Sequence, residues 1–332
     1  MSKKTVNTSH GKRILRDEVY IYLEKNRSNR SEKKGRPKRP ETCVSDEGAI
    51  HTLILKHPVS DLCLEEITAD DLSEWREWAL NLRHKGKYYN STYQNRARAC
   101  LISILQSYFI NMGRTYDAAY LIKPFPNHPR RLTEDDILNE DEIEAVKDAA
   151  RSRDQSMADM LIFELTEGTR PGETCAMKVK WFDPVNRLYH VNNTMVGSRR
   201  NVISEDGRVK TDEARRTLVL TREANEILMR RSAGKDPEDP IFQSDSGTPI
   251  ELGNYRRFVK RLVLKVTGKT VTPHHLRSSW ATYAIDHANS PRQTEIIARH
   301  LGHTDSSTTM KWYRARHEMD LNESRQLMDM FE

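Results

Sequence analysis

The sequence predicts a mainly α protein with one small antiparallel β-sheet (α+β), built as two domains behind a basic N-terminal tail. Three observations carry that reading. Apolar residues recur at helical spacing behind capping residues along most of the 332-residue chain. Strand-forming residues and turn dipeptides concentrate in one interval, 181–220. Lys123-Pro124-Phe125-Pro126-Asn127-His128-Pro129 sets three prolines close together, which stiffens the backbone and disfavours continuous helix.

Taken in order, the tail spans residues 1–44. It holds 13 Lys+Arg against 5 Asp+Glu, a net of 13 − 5 = +8, so it carries the whole of the chain's formal +6. Leu15, Val19, Tyr22 and Leu23 share one face of a helix over about 12–25. The following Lys33-Lys34-Gly35-Arg36-Pro37-Lys38-Arg39-Pro40 has no apolar residue to pack and is expected to be disordered in isolation. Its Gly35-Arg36-Pro37-Lys38 resembles the core of an AT-hook, which would lay Arg36 in a narrow minor groove; a solvated basic linker is the alternative.

Residues 45–125 predict a compact helical domain. Thr68-Ala69-Asp70-Asp71 is a capping signal for a helix with Leu72, Trp75, Ala79 and Leu82 inward. A second helix, about 91–109, turns Ala97, Leu101, Leu105 and Tyr108 inward. Between Trp78 and Tyr116 there is no acidic residue, whereas Arg83, Lys85, Lys87, Arg96, Arg98 and Arg114 interleave with tyrosines and amides. A surface of one sign with aromatics and amides suits a phosphate backbone.

The linker, 126–132, leads into a second domain over 133–332, opened by Thr133-Glu134-Asp135-Asp136. Helices are expected near 140–151 and 156–167. Strands follow over Trp181–Val191, with a turn at Asp183-Pro184, and over Met195–Leu220 around an Asp206-Gly207 turn. Four more helices, at about 221–232, 252–267, 274–288 and 291–301, complete it. In the 252–267 helix Arg257, Lys260, Arg261 and Lys265 lie opposite Phe258, Val259, Leu262 and Val266, giving a core face and a face for DNA or solvent.

Composition excludes several classes. No apolar run approaches membrane-spanning length and no secretory signal core is visible, so an intracellular protein is expected. Cys43, Cys63, Cys100 and Cys175 stand far apart, which argues against a disulfide framework or a zinc module.

The chemistry-bearing residues fall in short motifs along the second domain. Thr169-Arg170-Pro171-Gly172-Glu173 places an arginine in a glycine-broken turn, with an acid three residues on that could hold it rigid. Lys210-Thr211 follows the Asp206-Gly207 turn, and Arg215-Arg216-Thr217 enters the next strand. Then come His274-His275-Leu276-Arg277, Leu301-Gly302-His303, and Tyr313 after Thr308-Thr309. Guanidiniums clamp phosphate oxygens, imidazoles move protons and a phenol can attack phosphorus.

In this order the motifs resemble the tyrosine recombinase (phage-integrase) family, over roughly residues 45–320. The resemblance implies a helical core-binding domain and a catalytic domain closing as a C-shaped clamp on duplex DNA. It implies that Arg170 and Arg277 grip the scissile phosphate, that His303 donates to it, and that His274 assists proton transfer. Position selects His274 over His275, because the role falls four residues before Ser278. Lys210 would be the general acid on the departing 5′ oxygen, and Tyr313 the nucleophile that forms a 3′-phosphotyrosyl bond. In most relatives the tyrosine stands nine residues after the histidine of Leu-Gly-His; here Trp312 does, and a one-residue insertion within Thr304–Ser307 would restore the direction of Tyr313. Neither a cofactor nor a metal is implied, since the phosphotyrosyl ester conserves the bond energy.

The expected activity is therefore site-specific recombination of the integrase type, on double-stranded DNA with specific sites. It would be performed by a homo-tetramer in the cytoplasm, at the nucleoid, of a prokaryotic or viral host cell. Two alternatives stand beside it: a chromosome or plasmid dimer resolvase of the same chemistry, and a catalytically inactive DNA-binding descendant. The apolar residues of 318–331 could dock on a neighbouring protomer or pack within their own chain.

Overall fold

A computed structural model describes residues 13–28, 32–33, 36–38, 40–126, 132–153, 156–196, 202–203 and 215–302. The chain divides into two compact units, Met1–Arg130 and Arg131–Glu332. Among the described residues no helix is long and apolar enough to cross a membrane.

In the first unit, helix α1 (Leu15–Arg27) buries Leu15, Val19 and Leu23. Strands β1 (Glu32–Lys33) and β2 (Arg36–Pro37) pair antiparallel, and α2 (Pro40–Leu53) follows. Helix α3 (Ala69–Asn81) starts on the expected reciprocal cap, with the Asp71 amide donating to Thr68 Oγ1 at 3.2 Å. The hairpin β3 (Arg83–His84) and β4 (Lys87–Tyr88) turns on Lys85 and Gly86, both at positive φ. Helix α4 (Ser91–Asn111) and the short α5 (Ala118–Leu121) complete the unit. Their apolar faces meet around Trp75, Ile50, Leu72, Leu101 and Phe125. Trp75 is fully buried and its indole N–H donates to the Leu53 carbonyl, so the ring's one polar atom is satisfied inside the core.

Two expectations need correcting here. Within the basic segment 1–44, α1 does not stand apart as a tail: Leu15, Val19 and Leu23 share one core with α2, α3 and α4. Three leucine and valine side chains removed from water favour that packing. The stretch expected to be disordered in isolation carries, within the chain, Lys33 of β1 and the whole of β2, and Lys38 of its AT-hook-like core is largely buried, with Nζ 3.2 Å from Asp46 and hydrogen-bonded to the Tyr22 hydroxyl.

In the second unit, a 3₁₀ turn (Glu134–Asp136) and α6 (Glu140–Arg151) each begin on a reciprocal cap. Helix α7 (Ser156–Glu167) is apolar on nearly every face and is correspondingly buried from Ala158 to Leu165. The short α8 (Pro171–Cys175) turns the chain into a three-stranded antiparallel sheet of β5 (Phe182–Asp183), β6 (Leu188–Val191) and β9 (Arg216–Val219), in the order β5-β6-β9. Tyr189 faces Leu218 across β6 and β9. A separate pair, β7 (Met195–Val196) and β8 (Val202–Ile203), closes ahead of Asp206-Gly207, which lies outside the described residues. Helices α9 (Arg222–Ser232), α10 (Leu252–Thr267), α11 (Pro273–Asp286) and α12 (Pro291–Leu301) surround α7 and the sheet. Phe163, Phe242, Tyr255 and Leu276 lie in their common core.

Candidate active site

The site grows from two helix ends. The last carbonyls of a helix have no partner within it and must find donors elsewhere. At the C-terminal end of α7, three successive carbonyls take three side chains from elsewhere in the unit. Thr166 O accepts from the Trp280 indole at 2.8 Å, Glu167 O from His300 Nε2 at 2.9 Å, and Gly168 O from Arg277 Nη1 at 2.9 Å. His300 stacks on Trp280 with ring centroids 5.0 Å apart. Only glycine suits position 168: its φ is +60°, and a Cβ would lie 2.4 Å from the Trp280 ring.

The C-terminus of α12 repeats the pattern with arginines. His300 O accepts from Arg216 Nε at 2.5 Å, Leu301 O from Arg277 Nη2 at 2.6 Å, and Gly302 O from Arg170 Nη2 at 2.9 Å. Gly302 ends the helix in the left-handed region, at φ +65°. Cations suit this end because the helix dipole leaves it partly negative.

Glu173 balances the gathered charge. Its carboxylate takes Arg170 Nη1 at 2.7 Å and Arg216 at 3.1 and 2.8 Å, so the acid three residues on does hold Arg170. Burial would raise this carboxyl, yet the charge and hydrogen bonds of Arg216 and the charges of Arg170 and Arg277 hold it at about 2. Arg277 is only 4% exposed, and burial together with Arg170 lowers it to about 9, still charged at neutral pH. Arg170 keeps 34% of its side chain in contact with solvent.

Of the residues expected to act, Arg170, His274 and Arg277 are brought to one place. His274 is the second residue of α11, exposed, and lowered from its usual value by the atoms crowding it and by the charges of Arg277, His275 and Arg170. That direction favours the neutral imidazole, the form that accepts a proton. His275 turns elsewhere, with Nδ1 4.0 Å from Asp136. Lys210, His303 and Tyr313 lie outside the described residues, although His303 directly follows the capped Gly302.

The residues expected to touch DNA divide. Arg83, Lys85 and Lys87 stand exposed on the β3–β4 hairpin, with Arg83 4.2 Å over the Tyr88 ring. Arg257 and Arg261 are exposed on α10 beside Arg256, Lys260 and Lys265, while Phe258, Val259 and Leu262 are buried opposite. Arg96 and Arg98 are engaged within the first unit. Arg96 lies 3.1 Å from Asp46, and Arg98 donates to Ile122 O at 2.6 Å and Ala119 O at 3.0 Å, because carbonyls left open around α5 need donors. Arg36 lies in β2. Arg216, Trp280 and His300 were not singled out as site residues from the sequence. Only the Arg215-Arg216 pair entering β9 offered a signal, and nothing local shows that its partners lie 43 and 84 positions away.

Residues 136–319, more than half of the chain, match the family model described as the phage integrase family. The chain is 28% identical over 248 residues to a tyrosine recombinase XerA of Saccharolobus solfataricus, covering 74% of this chain and 73% of that one. It is 28% identical over 241 residues to a tyrosine recombinase XerD of Xanthomonas axonopodis, covering 66% and 72%. Its fold is similar to that of a Tn1549 transposon integrase solved with transposon right end DNA, at TM-score 0.71 and 17% identity over 96% of this chain and 99% of that one. It is similar also to a lambda integrase solved as a tetramer on a Holliday junction, at TM-score 0.64 and 19% identity over 94% and 81%. With the family match over more than half of its length, the chain belongs to the phage integrase family of tyrosine recombinases, enzymes that cleave and rejoin DNA strands.

Proposed function

We propose that this tyrosine recombinase is a site-specific integrase of a mobile element, working through a 3′-phosphotyrosyl intermediate. The observation that carries the reading is the meeting of Arg170 and Arg277 on the carbonyls of Gly302 and Leu301, one residue before His303. Two guanidiniums brought to one place in this way suit the non-bridging oxygens of one phosphate. Tyr313 attacks phosphorus through its phenol oxygen, and its proton passes to His274. The phosphorus–5′ oxygen bond breaks, and Lys210 protonates the leaving oxygen as His303 donates to the phosphate. Rejoining reverses each step, so neither ATP nor a metal is consumed. Double-stranded DNA is the partner, gripped by the exposed basic faces of α10 and the β3–β4 hairpin. Four copies assemble on the paired sites, as lambda integrase does on a Holliday junction.

The fold similarity to the Tn1549 transposon integrase supports the mobile-element role. The Xer relatives favour a second reading, resolution of chromosome or plasmid dimers. Covalent trapping tests the chemistry: nicked duplexes carrying the DNA that flanks the gene are incubated with wild type and with Tyr313→Phe. A denaturant-resistant adduct that vanishes with phenylalanine is the expected result. Specific binding with no adduct from either protein would leave a DNA-binding descendant. Excision between two sites on one plasmid, against resolution of a plasmid dimer, then separates the two roles.

A further inference from the structure

We propose that Arg216 is a positioning residue for strand cleavage: its guanidinium ties Glu173 to the last turn of α12 and thereby sets the aim of Arg170. The inference rests on the cleavage reading above. Arg216 opens β9, and its side chain is only 7% exposed, with its fork turned to Glu173 and to the last turn of α12. One edge of the fork meets Glu173, with Nη1 3.1 Å from Oε1 and Nη2 2.8 Å from Oε2, while Nε reaches the His300 carbonyl at 2.5 Å. The fit around it is close, since a Cβ on Gly302 would lie 3.0 Å from Nη1 and 3.1 Å from Cδ.

The consequence for Arg170 follows from competition. Glu173 Oε1 accepts from both Arg216 and Arg170, and Oε2 accepts from Arg216 and from the Arg170 amide. While Arg216 occupies both oxygens, Arg170 holds the carboxylate through Nη1 alone and extends Nη2 to Gly302 O. Without Arg216, a buried carboxylate with free acceptor positions draws Arg170 into a two-point pair. That rotation withdraws Nη2 from α12 and misaims the guanidinium. The His300 carbonyl also loses its donor, so the turn leading to His303 loosens. Lysine does not replace the interaction, because one ammonium on a flexible stem lacks the planar fork that spans a carboxylate and a carbonyl together.

The test is single-turnover adduct formation on a nicked duplex at saturating DNA, run beside DNA affinity and thermal unfolding for wild type, Arg216→Lys and Arg216→Ala. Both variants are expected to lose about 100-fold in cleavage rate, the size of effect that a misplacement of about 1 Å produces, with DNA affinity held within about 3-fold. In a Glu173→Gln background, Arg216→Ala should then add little. If alanine prevents folding, the lysine variant, which keeps length and charge, carries the comparison. A lysine variant that cleaves at the wild-type rate overturns the proposal. So does a rate loss matched by an equal loss of DNA affinity, or one that disappears at temperatures where the variant is fully folded. No adduct from wild type counts against the cleavage reading itself, whereas equal adducts from wild type and variants count against Arg216 alone.

Discussion

Arg170 Nη2 donates to the carbonyl of Gly302 at 2.9 Å, joining residues 132 positions apart. The bond ties the turn after α7 to the end of α12. It also makes Arg170 one of three arginines that cap the successive carbonyls of His300, Leu301 and Gly302. Three cations repel one another, and among the described residues Glu173 offsets Arg170 and Arg216 through its hydrogen bonds. A helix end and one carboxylate therefore hold a cluster with positive charge to spare, which is the electrostatic preparation an incoming phosphate diester needs.

Arg277 is the most deeply placed of the three, and replacing it tests the double cap. Arg277→Lys can reach one of the two carbonyls, Gly168 O or Leu301 O, but not both. A buried carbonyl left without a donor costs about 1–3 kcal/mol. The expected outcome is a lower denaturant midpoint together with a loss of cleavage of about 100-fold or more, the usual scale for removing one preorganised donor. DNA affinity measured by titration should change little. A lysine variant as stable and as fast as wild type would remove Arg277 from both roles.

Gly168→Ala addresses the other helix end. At φ +60° a Cβ costs about 1–2 kcal/mol, and the overlap with Trp280 at 2.4 Å adds about 1–3 kcal/mol of overpacking. Urea unfolding should show the sum. Adding Trp280→Ala should return part of the overpacking cost, so the two changes will not be additive. Strict additivity would mean that the ring is not what excludes the methyl group.

These hydrogen bonds mark where the sequence stops being legible. The helices at 140–151, 156–167, 252–267 and 291–301 could be read because caps and 3.6-residue periodicity are local signals. Arg170 and Glu173 are three residues apart, so their pairing was readable too. The charge of Arg96 and Arg98 was visible but its destination was not, since the carbonyls of Ala119 and Ile122 become open acceptors only once α5 ends beside α4. For the same reason α1 looked like part of a tail: its apolar face was plain, but the core it enters is completed by α2, α3 and α4.

Glu167 and His300 give a pH signature. Burial pushes the Glu167 carboxyl up to about 7 despite two hydrogen bonds from Thr221, and burial takes His300 down to about 4 despite its bond to Glu167 O. The raised carboxyl adds stability below its unfolded value of 4.5, and that stability is lost as pH rises through about 7, by up to about 3 kcal/mol. The lowered imidazole works in the opposite sense: its contribution is full above 6.5 and lost as pH falls through about 4. Over the shared window the two slopes oppose each other. Glu167→Gln should therefore unmask stability that rises with pH between about 4 and 6.5, and His300→Gln stability that falls between about 4.5 and 7. Urea midpoints from pH 4 to 8 would decide it, and parallel curves for all three proteins would sink the assignment.

The two classes of arginine in the basic surfaces should separate in a salt titration. Arg257 and Arg261 are exposed on α10 beside Lys260, with their apolar neighbours turned into the core. If they neutralise phosphates, Arg257→Ala/Arg261→Ala will weaken binding to specific and random duplexes alike. It will also reduce the slope of log affinity against log salt by about 0.9 for each phosphate that is no longer neutralised. Stability should stay within about 0.5 kcal/mol, as surface substitutions usually do. Arg98→Ala should do the reverse: its guanidinium holds Ile122 O and Ala119 O, so unfolding shifts while the salt slope stays. Fluorescence anisotropy at several salt concentrations, beside denaturation curves, measures both quantities on the same preparations. A reduced slope for Arg98→Ala with unchanged stability would return that residue to the DNA surface.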